Sequence, residues 1–336
     1  MLINIHITLN ASYPIIFKPL TEAMKPYKQR RLFLVTDENV YFYYKNHLKE
    51  VFSDYDVSYT IIKAGETSKS LENYYQVCNE LLSKHIQRKD MIIAFGGGVV
   101  GDLTGFVAAT ILRGVDFIQI PTTLLAMVDS SIGSKVGINT SYGKNLLGAF
   151  KHPILVIIDP WYLKTLPKEQ YNNGMAEVIK ACLIKDETLI FDLKNNHIEN
   201  IITKAISVKK DIVLNDPYEH NERLFLNFGH TFGHAIEKAS NYQINHGYAI
   251  AMGMDIAVRL GIYLNITNKE VLKTLHELLN LYNLPTYDSN LLELLPYISQ
   301  DKKSTGDFIN FVFIKDVGKP LIKKIAKEAF YEISSI

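Results

Sequence analysis

His230 and His234 stand four positions apart in the run NFGHTFGHAIE (227–237). On a helix that spacing puts both imidazoles on one face, where one or both could ligate a metal. The pair alone does not decide between those readings and a helix that simply carries two histidines. NNGMAEVIKACLI (172–184) embeds Glu177 and Lys180 in an apolar helical pattern. An exposed salt bridge is the plain reading of that pair; a carboxylate buried beside Ala176 and Val178 would need a partner, and a metal would be one. NHGYAIAMGM places His246 just before a further helix. One carboxylate and two histidines around an ion with an open coordination position make a catalytic Zn²⁺ site. The sequence offers four candidates, Glu177, His230, His234 and His246, for three places. Arg223 lies a few residues upstream of the histidine pair, while Lys209 and Lys210, taken alone, read as the solvated face of a basic helix.

A second group of residues suits a nucleotide. AFGGGVVGD (94–102) follows a strand and opens a helix, and Gly96, Gly98 and Gly101 satisfy G-x-G-x-x-G. Such a turn lets a pyrophosphate approach backbone N–H groups at a helix N-terminus. One feature departs from the ordinary dinucleotide pattern: the glycines follow the third or fourth strand. Asp37 ends an earlier strand, where it could hold a ribose hydroxyl pair or cap a helix. AGETSKS (64–70) is another polar strand end, with Glu66 and Lys69 as possible adenosine contacts. The stretch PTTLLAMVDSSIGSKVGINTSYGKN (121–145) gathers Asp129, Lys135, Lys144 and Asn145 among glycines and small hydroxylated residues, a composition suited to a phosphate.

These residues need elements to hold them. RLFLVT (31–36), VSYTII (57–62), MIIAF (91–95), DFIQI (116–120) and ILVIID (154–159) read as short strands, with helices between several of them, notably over 70–87 and 101–113. That alternation predicts a mostly parallel sheet with packed helices. Beyond Pro160 helical periodicity takes over, across 168–192, 197–215, 229–241, 247–264 and 269–281, with FINFVFIKDVG (308–318) as a late small hairpin. The expected organisation is an α/β nucleotide domain over 1–160 and a helical domain over 161–336. A chain of 336 residues with 47% hydrophobic and 21% charged residues is an ordinary globular enzyme size. Its net charge of +1 gives no footprint for nucleic acid or an anionic membrane. The two cysteines suggest neither a disulfide framework nor a thiolate metal site. MLINIHITLN alternates like a strand, without a signal-peptide plan, and no apolar run is long enough to span a bilayer. A cytoplasmic location is the expectation.

Together, GGGVVGD, RGVDFIQIPTTLLA, VDSS, GKNLLGAF, TLP, GMAEVIK, LNFGHTFGHAIE, HG and DKK resemble the 3-dehydroquinate synthase family, in the family's order and over nearly the whole chain. The resemblance implies an N-terminal Rossmann-like domain, a C-terminal helical metal-binding domain, and a homodimer. It implies NAD and a divalent metal as cofactors, Zn²⁺ foremost with Co²⁺ as a substitute. Matched by motif, the metal ligands are Glu177, His230 and His246, while His234 moves protons near the substrate. Asp37, Glu66, Lys69, Gly97, Gly98 and Val99 match the NAD site, as do Asp102, Thr122, Thr123, Lys144, Thr165 and Asn173, with Asp129, Lys135 and Asn145 beside them. Lys135, Asn145, Lys180, Asn227 and Lys302 match groups that hold the substrate and its phosphate. Arg223 and Lys209 match its carboxylate contacts, Asp129 a hydroxyl contact, and Arg113 an arginine from the neighbouring subunit. Ser134 and Val136 stand where the family commonly has Gly and Thr, Tyr248 replaces a commoner Glu, and 214–223 keeps Asp216 and Arg223 but not the usual acid spacing.

The implied reaction converts 3-deoxy-D-arabino-heptulosonate 7-phosphate to 3-dehydroquinate and phosphate. Oxidation at C5 acidifies the C6 proton, phosphate is eliminated, the ketone is reduced, and the opened ring closes by an aldol step. NAD is restored each turnover. The rival readings are a sister sugar-phosphate cyclase (2-deoxy-scyllo-inosose or 2-epi-5-epi-valiolone synthase), a metal-dependent alcohol dehydrogenase, and a non-catalytic NAD-binding paralogue. Arg223 with Asn227 favours a substrate that carries a carboxylate.

Overall fold

The computed structural model describes residues 12–216, 219, 221–289, 291–298, 304–305 and 308–326. The N-terminal strand expected over MLINIHITLN and the substrate lysine Lys302 lie outside the described residues. Two compact units emerge: one runs to Thr122 and resumes over Ser134–Trp161, and the other takes Thr123–Gly133 and the chain from Tyr162 onward. Among the described residues no helix is long and apolar enough to cross a membrane.

The strands of the first unit are β1 (Ile15–Phe17), β2 (Leu32–Asp37), β3 (Val57–Ile62), β4 (Met91–Gly96), β5 (Asp116–Pro121), β6 (Lys135–Thr140), β7 (Gly143–Phe150) and β8 (Leu155–Ile158). Six of them form a sheet in the order β1-β8-β5-β4-β2-β3, every neighbour parallel. Its helices are the single turn α1 (Leu20–Ala23), then α2 (Glu38–Val51), α3 (Leu71–Ser83) and α4 (Gly98–Thr110). Phe33, Val35, Ile92, Ala94 and Phe117 join one core with Val77 and Leu81 of α3 and Leu103 and Val107 of α4. On the opposite face of β4, Phe95 meets Tyr44 of α2 edge-on, with ring centres 6.0 Å apart. A sheet covered on both faces needs apolar side chains at successive positions, which is why β2 and β4 read as unbroken apolar runs.

Strand order also answers the question of the late glycine turn. From β2 the chain runs outward to β3, returns to the other side of β2 as β4, and continues away through β5 and β8. The order reverses between β2 and β4, and the carboxyl ends of strands at such a reversal are where open parallel sheets hold ligands. Asp37 ends β2 and the glycine run follows β4. They sit at that point together.

The run 121–145 divides between the units: Thr123–Gly133 belongs to the second, and the part from Ser134 enters an antiparallel β6–β7 hairpin of the first. The two backbones of that hairpin approach closely, and a Cβ on Gly137 would lie 2.7 Å from the Leu147 carbonyl oxygen. Val136 and Ile138, two positions apart in β6, are buried in the core.

The second unit is helical: α5 (Lys168–Ile184), α6 (Leu189–Asn195), α7 (Ile198–Asn215), α8 (His230–Ala239), α9 (His246–Tyr263), α10 (Lys269–Leu281) and the short α11 (Leu295–Ile298). The segment 168–192, expected as one helix, breaks after Ile184, where Lys185 leaves helical geometry and Asp186 Oδ1 accepts from Thr188 N–H. Every residue of α5 from Asn172 to Ile184 is buried, so this helix is the core of the unit and not an amphipathic surface element. Strands β9 (Ser304–Thr305), β10 (Phe308–Asp316) and β11 (Lys319–Ala326) form an antiparallel sheet. The expected hairpin thus extends past 318, through a lysine-rich strand whose exposed positions hid it.

Ser134 gives the first unit a testable detail. It has φ 63°, a left-handed backbone that disfavours a Cβ. Its hydroxyl hydrogen-bonds His152 Nδ1 at 2.6 Å, and its carbonyl accepts from Lys151 N–H at 2.9 Å. Ser134→Ala keeps the strain and loses the side-chain bond, so it should cost about 1 kcal/mol of stability. Ser134→Gly loses the same bond but relieves roughly 1–2 kcal/mol of left-handed strain, and should stay near wild type. Denaturant titration compares them; an alanine variant as stable as the glycine variant would overturn the account.

Candidate functional site

Three helices of the second unit bring three donors together. Glu177 lies in the middle of α5 and is 3% exposed. His230 and His246 are the first residues of α8 and α9. His230 gains its place from Gly229, whose φ of 77° turns the chain into α8 and where a Cβ would lie 2.9 Å from Met254 N on α9. The Nε2 atoms of His230 and His246 stand 3.7 and 3.5 Å from Glu177 Oε1, and one donor atom from each residue lies within 4.8 Å of the others. Donors about 2.1 Å from a tetrahedral ion lie about 3.4 Å apart, so an ion fits with modest tightening. Among the described residues this is the His/Cys/Asp/Glu group with that geometry.

The chemistry of the set agrees. Neither Glu177 oxygen has a well-formed hydrogen bond, although Lys180 forms an ion pair with Oε2. Burial would push the Glu177 carboxyl up, but Lys180 and then His246 more than offset it and hold it at about 2. Glu177 is an anion at neutral pH, as a ligand must be. His230 Nδ1 hydrogen-bonds the Phe228 carbonyl at 3.2 Å, which leaves Nε2 toward Glu177. His234 falls outside the donor set: its ring centre is 5.3 Å from that of His230, perpendicular to it, and 6.4 Å from that of His246.

The same unit holds other charged groups. Lys209 is not the solvated residue its helix suggested: its Nζ donates to Asp129 Oδ1 at 2.6 Å and to the Asp129 carbonyl at 2.7 Å. Lys210 does face outward, against Asp211. Asp129 rides on a π-helical turn, Ala126–Ser130, which Thr123 Oγ1 opens by accepting from Ala126 N–H. Burial pushes the Asp129 carboxyl up, yet Lys209 outweighs it and keeps it below the usual carboxylate range. Burial pulls the Lys209 ammonium below its ordinary value against the pull of Asp129. Arg223 is buried on the 3₁₀ turn Glu222–Asn227 and reaches the Gly133 carbonyl at 3.3 Å. Buried Asp216 fixes that turn by accepting from the N–H groups of Asn221 and Arg223. Asn227 donates to Glu219 Oε1 at 3.0 Å. Asn173, one turn before Glu177, accepts from Gly247 N–H at 2.6 Å and so ties α5 to the start of α9. Thr165 closes a 3₁₀ turn, Pro160–Thr165.

In the first unit, Asp37 caps α2, its carboxylate accepting from Val40 N–H at 2.9 Å, while burial raises its pKa. Gly97 caps α4, Gly98 and Val99 form its first turn, and Thr122 N–H donates to Gly96 at 3.0 Å. Lys69 is buried and pairs with Asp102 of α4. Asn139 links this group: its N–H donates to the Lys69 carbonyl, its amide to Glu66 Oε1 at 2.8 Å, and its Oδ1 accepts from Asn145 N–H. Lys135 opens β6 opposite Phe150, away from the hairpin turn, Lys144 is the second residue of β7 beside that turn, and Arg113 is exposed on a turn with φ 65°. Sequence reasoning missed Asn139 and Glu237; only Glu237 carried a signal, as a carboxylate one turn beyond His234 on the histidine helix.

A Rossmann-like sheet with a glycine turn at its topological switch, in one chain with a helical unit holding a three-donor cluster, defines a narrow architecture. Residues 59–173 match the family model for the 3-dehydroquinate synthase N-terminal part, and 174–304 that for the C-terminal part. The chain belongs to the 3-dehydroquinate synthase family. It is 42% identical to the 3-dehydroquinate synthase of Clostridium beijerinckii over 95% of this chain and 97% of that one. Among solved structures, it is similar to a 2-deoxy-scyllo-inosose synthase complexed with carbaglucose-6-phosphate, NAD⁺ and Co²⁺, with TM-score 0.86, 27% identity, and 96% and 97% of the two chains covered. It shares its fold with a 2-epi-5-epi-valiolone synthase from Streptomyces hygroscopicus bound to NAD⁺ and Zn²⁺, with TM-score 0.89, 24% identity, and 99% of each chain covered.

Substitution separates the ligand set from the neighbouring histidine. Glu177→Gln, His230→Ala and His246→Ala should each leave the purified protein without stoichiometric metal, while His234→Ala retains it. Elemental analysis reads the result directly; metal lost with His234, or kept in full without His230, would reverse the assignment.

Proposed function

We propose that this protein is a 3-dehydroquinate synthase, converting 3-deoxy-D-arabino-heptulosonate 7-phosphate to 3-dehydroquinate and phosphate. One observation carries the reading: the donor trio, built on buried Glu177, shares its unit with Lys180, Lys209 and Arg223, which are largely buried. Three cations beside two carboxylates, Glu177 and Asp129, suit a substrate with both a carboxylate and a phosphate. The 42% identity to a 3-dehydroquinate synthase supports the same choice.

When bound, NAD⁺ would supply a reversible hydride acceptor and a divalent ion, Zn²⁺ or Co²⁺, would supply Lewis acidity at the reacting oxygens. The chain's own residues hold and orient. Glu177, His230 and His246 would carry the ion. Asp37, at the end of β2, and Gly97, Gly98 and Val99, at the start of α4, would receive the ribose and pyrophosphate, with Glu66, Lys69, Asp102, Thr122, Thr123, Lys144, Thr165 and Asn173 completing the cofactor contacts. Lys135, Asn145, Lys180, Asn227 and Lys302 would bind the substrate and stabilise its departing phosphate. Arg223 and Lys209 would fix the carboxylate, Asp129 would accept from a substrate hydroxyl, and His234 would move a proton beside it. The protein is cytoplasmic in this reading and works as a homodimer, with exposed Arg113 serving the neighbouring protomer.

Arg223 makes the substrate choice testable. Its guanidinium can form two parallel charge-assisted hydrogen bonds to a carboxylate, a geometry lysine cannot reproduce. Loss of such a partner costs about 2–5 kcal/mol, which is a rate loss of roughly 30-fold to several thousand-fold. Arg223→Ala should lose turnover of the heptulosonate phosphate by that factor while NAD and metal binding persist. Wild type should release phosphate from it with only catalytic NAD, and act poorly on sedoheptulose 7-phosphate and glucose 6-phosphate, which lack the carboxylate. Side-by-side phosphate release decides. Faster turnover of either sugar phosphate would indicate a sister cyclase, and stoichiometric NADH a dehydrogenase.

A further inference from the structure

Glu237 is a buried acid that the proposed reaction does not use. It lies on α8 seven residues after His230, two helical turns along, and is 3% exposed. Its Oε2 stands 3.5 Å from His246 Nδ1, while His246 Nε2 stands 3.5 Å from Glu177 Oε1. The imidazole therefore spans two carboxylates, one at each nitrogen. Glu237 is not part of the donor cluster itself, which comprises Glu177, His230 and His246.

We propose that Glu237 is a positioning residue for the metal, acting through His246 and resting on the reading of Glu177, His230 and His246 as ligands. An imidazole ligates through one nitrogen, and the hydrogen bond made by the other nitrogen sets both its tautomer and its rotation. Glu237 accepts from Nδ1–H, so the Nε2 lone pair is held toward Glu177. The three donors differ in how much packing fixes them. His246 is the most exposed, with 32% of its side chain accessible, against 13% for His230 and 2% for Glu177. His230 has a backbone anchor in the Phe228 carbonyl. His246 opens its helix and depends on a side chain instead. An anionic acceptor also makes the imidazole a stronger donor to the ion, which a neutral carbonyl does less well.

The test uses full-length protein stripped with a chelator, then titrated with Zn²⁺ in competition with a chromogenic chelator and with Co²⁺ by visible absorption. Glu237→Gln keeps volume and an acceptor oxygen but removes the charge; Glu237→Ala removes both. Zn²⁺ affinity should fall about 10- to 100-fold, more for alanine than for glutamine. The Co²⁺ absorption should change in position or intensity as the His246 ring loses its fixed orientation. NAD affinity is measured as a control on folding, and should match wild type. If the alanine variant does not fold, the isosteric glutamine variant decides. Zn²⁺ affinity within twofold of wild type and an unchanged Co²⁺ spectrum would overturn the proposal, even if the apo-protein melts at a lower temperature. Wild-type protein that binds neither ion would instead overturn the metal-site reading beneath it.

Discussion

A carboxylate in the middle of a wholly buried helix constrains the helical unit more than any other feature. Glu177 sits in α5 between Ala176 and Val178, in a stretch buried from Asn172 to Ile184. An unpaired charge there would cost several kcal/mol even after relaxation. The fold supplies opposite charge from its own helix through Lys180 and places two imidazoles before it from the first residues of α8 and α9. The close approach of those helices, the left-handed Gly229 and the Asn173 tie to Gly247 follow from that demand. Helix starts suit the purpose because side chains there are unencumbered by a preceding turn.

The sheet unit solves a separate problem by topology. A glycine-rich turn after β4 looks out of place if strands are counted from the N-terminus. In the sheet itself β4 is beside β2, and the reversal of chain direction between them brings the turn and Asp37 to the same carboxyl edge. Asp37 caps α2 as well. The capping and ribose-binding readings are therefore not exclusive, because a carboxylate has lone pairs for both.

What was legible in the sequence follows from where each signal originates. The strands β2, β4, β5 and β8 were readable because burial on both faces writes itself as largely apolar runs, and edge strand β3 by its β-branched and aromatic residues. The β6–β7 hairpin was not, since its alternation is confined to Val136 and Ile138, and glycines stand at 137 and 148 where the two backbones approach closely. Beyond 318, β11 was hidden by Pro320 and by lysines on its exposed positions. At the site, spacing offered four metal candidates; distance is what separates His234 from the other three. Lys209 read as a solvated lysine because its partner Asp129 is 80 residues away. Asn139 acts by linking Lys69, Glu66 and Asn145, and no spacing rule exists for that kind of partner.

The cost of the site bears on how stability and function are divided. Lys180, Glu177, Lys209, Asp129 and Arg223 are largely withdrawn from water in one helical unit. Paired as they are, these charges give weak net stabilisation, and apolar groups of similar volume would often serve a fold at least as well. Their retention makes sense for binding, where preformed charge is ready for an anionic ligand without reorganisation. The offset must come from packing, and α5 provides it: Met175, Val178, Ile179, Leu183 and Ile184 are each at most 1% exposed, worth about 1.5–3 kcal/mol apiece. One helix thus carries both the most expensive charge in the unit and much of the apolar surface that keeps the unit folded around it. A change in α5 packing would therefore be felt at the donor cluster even where it touches none of the ligands.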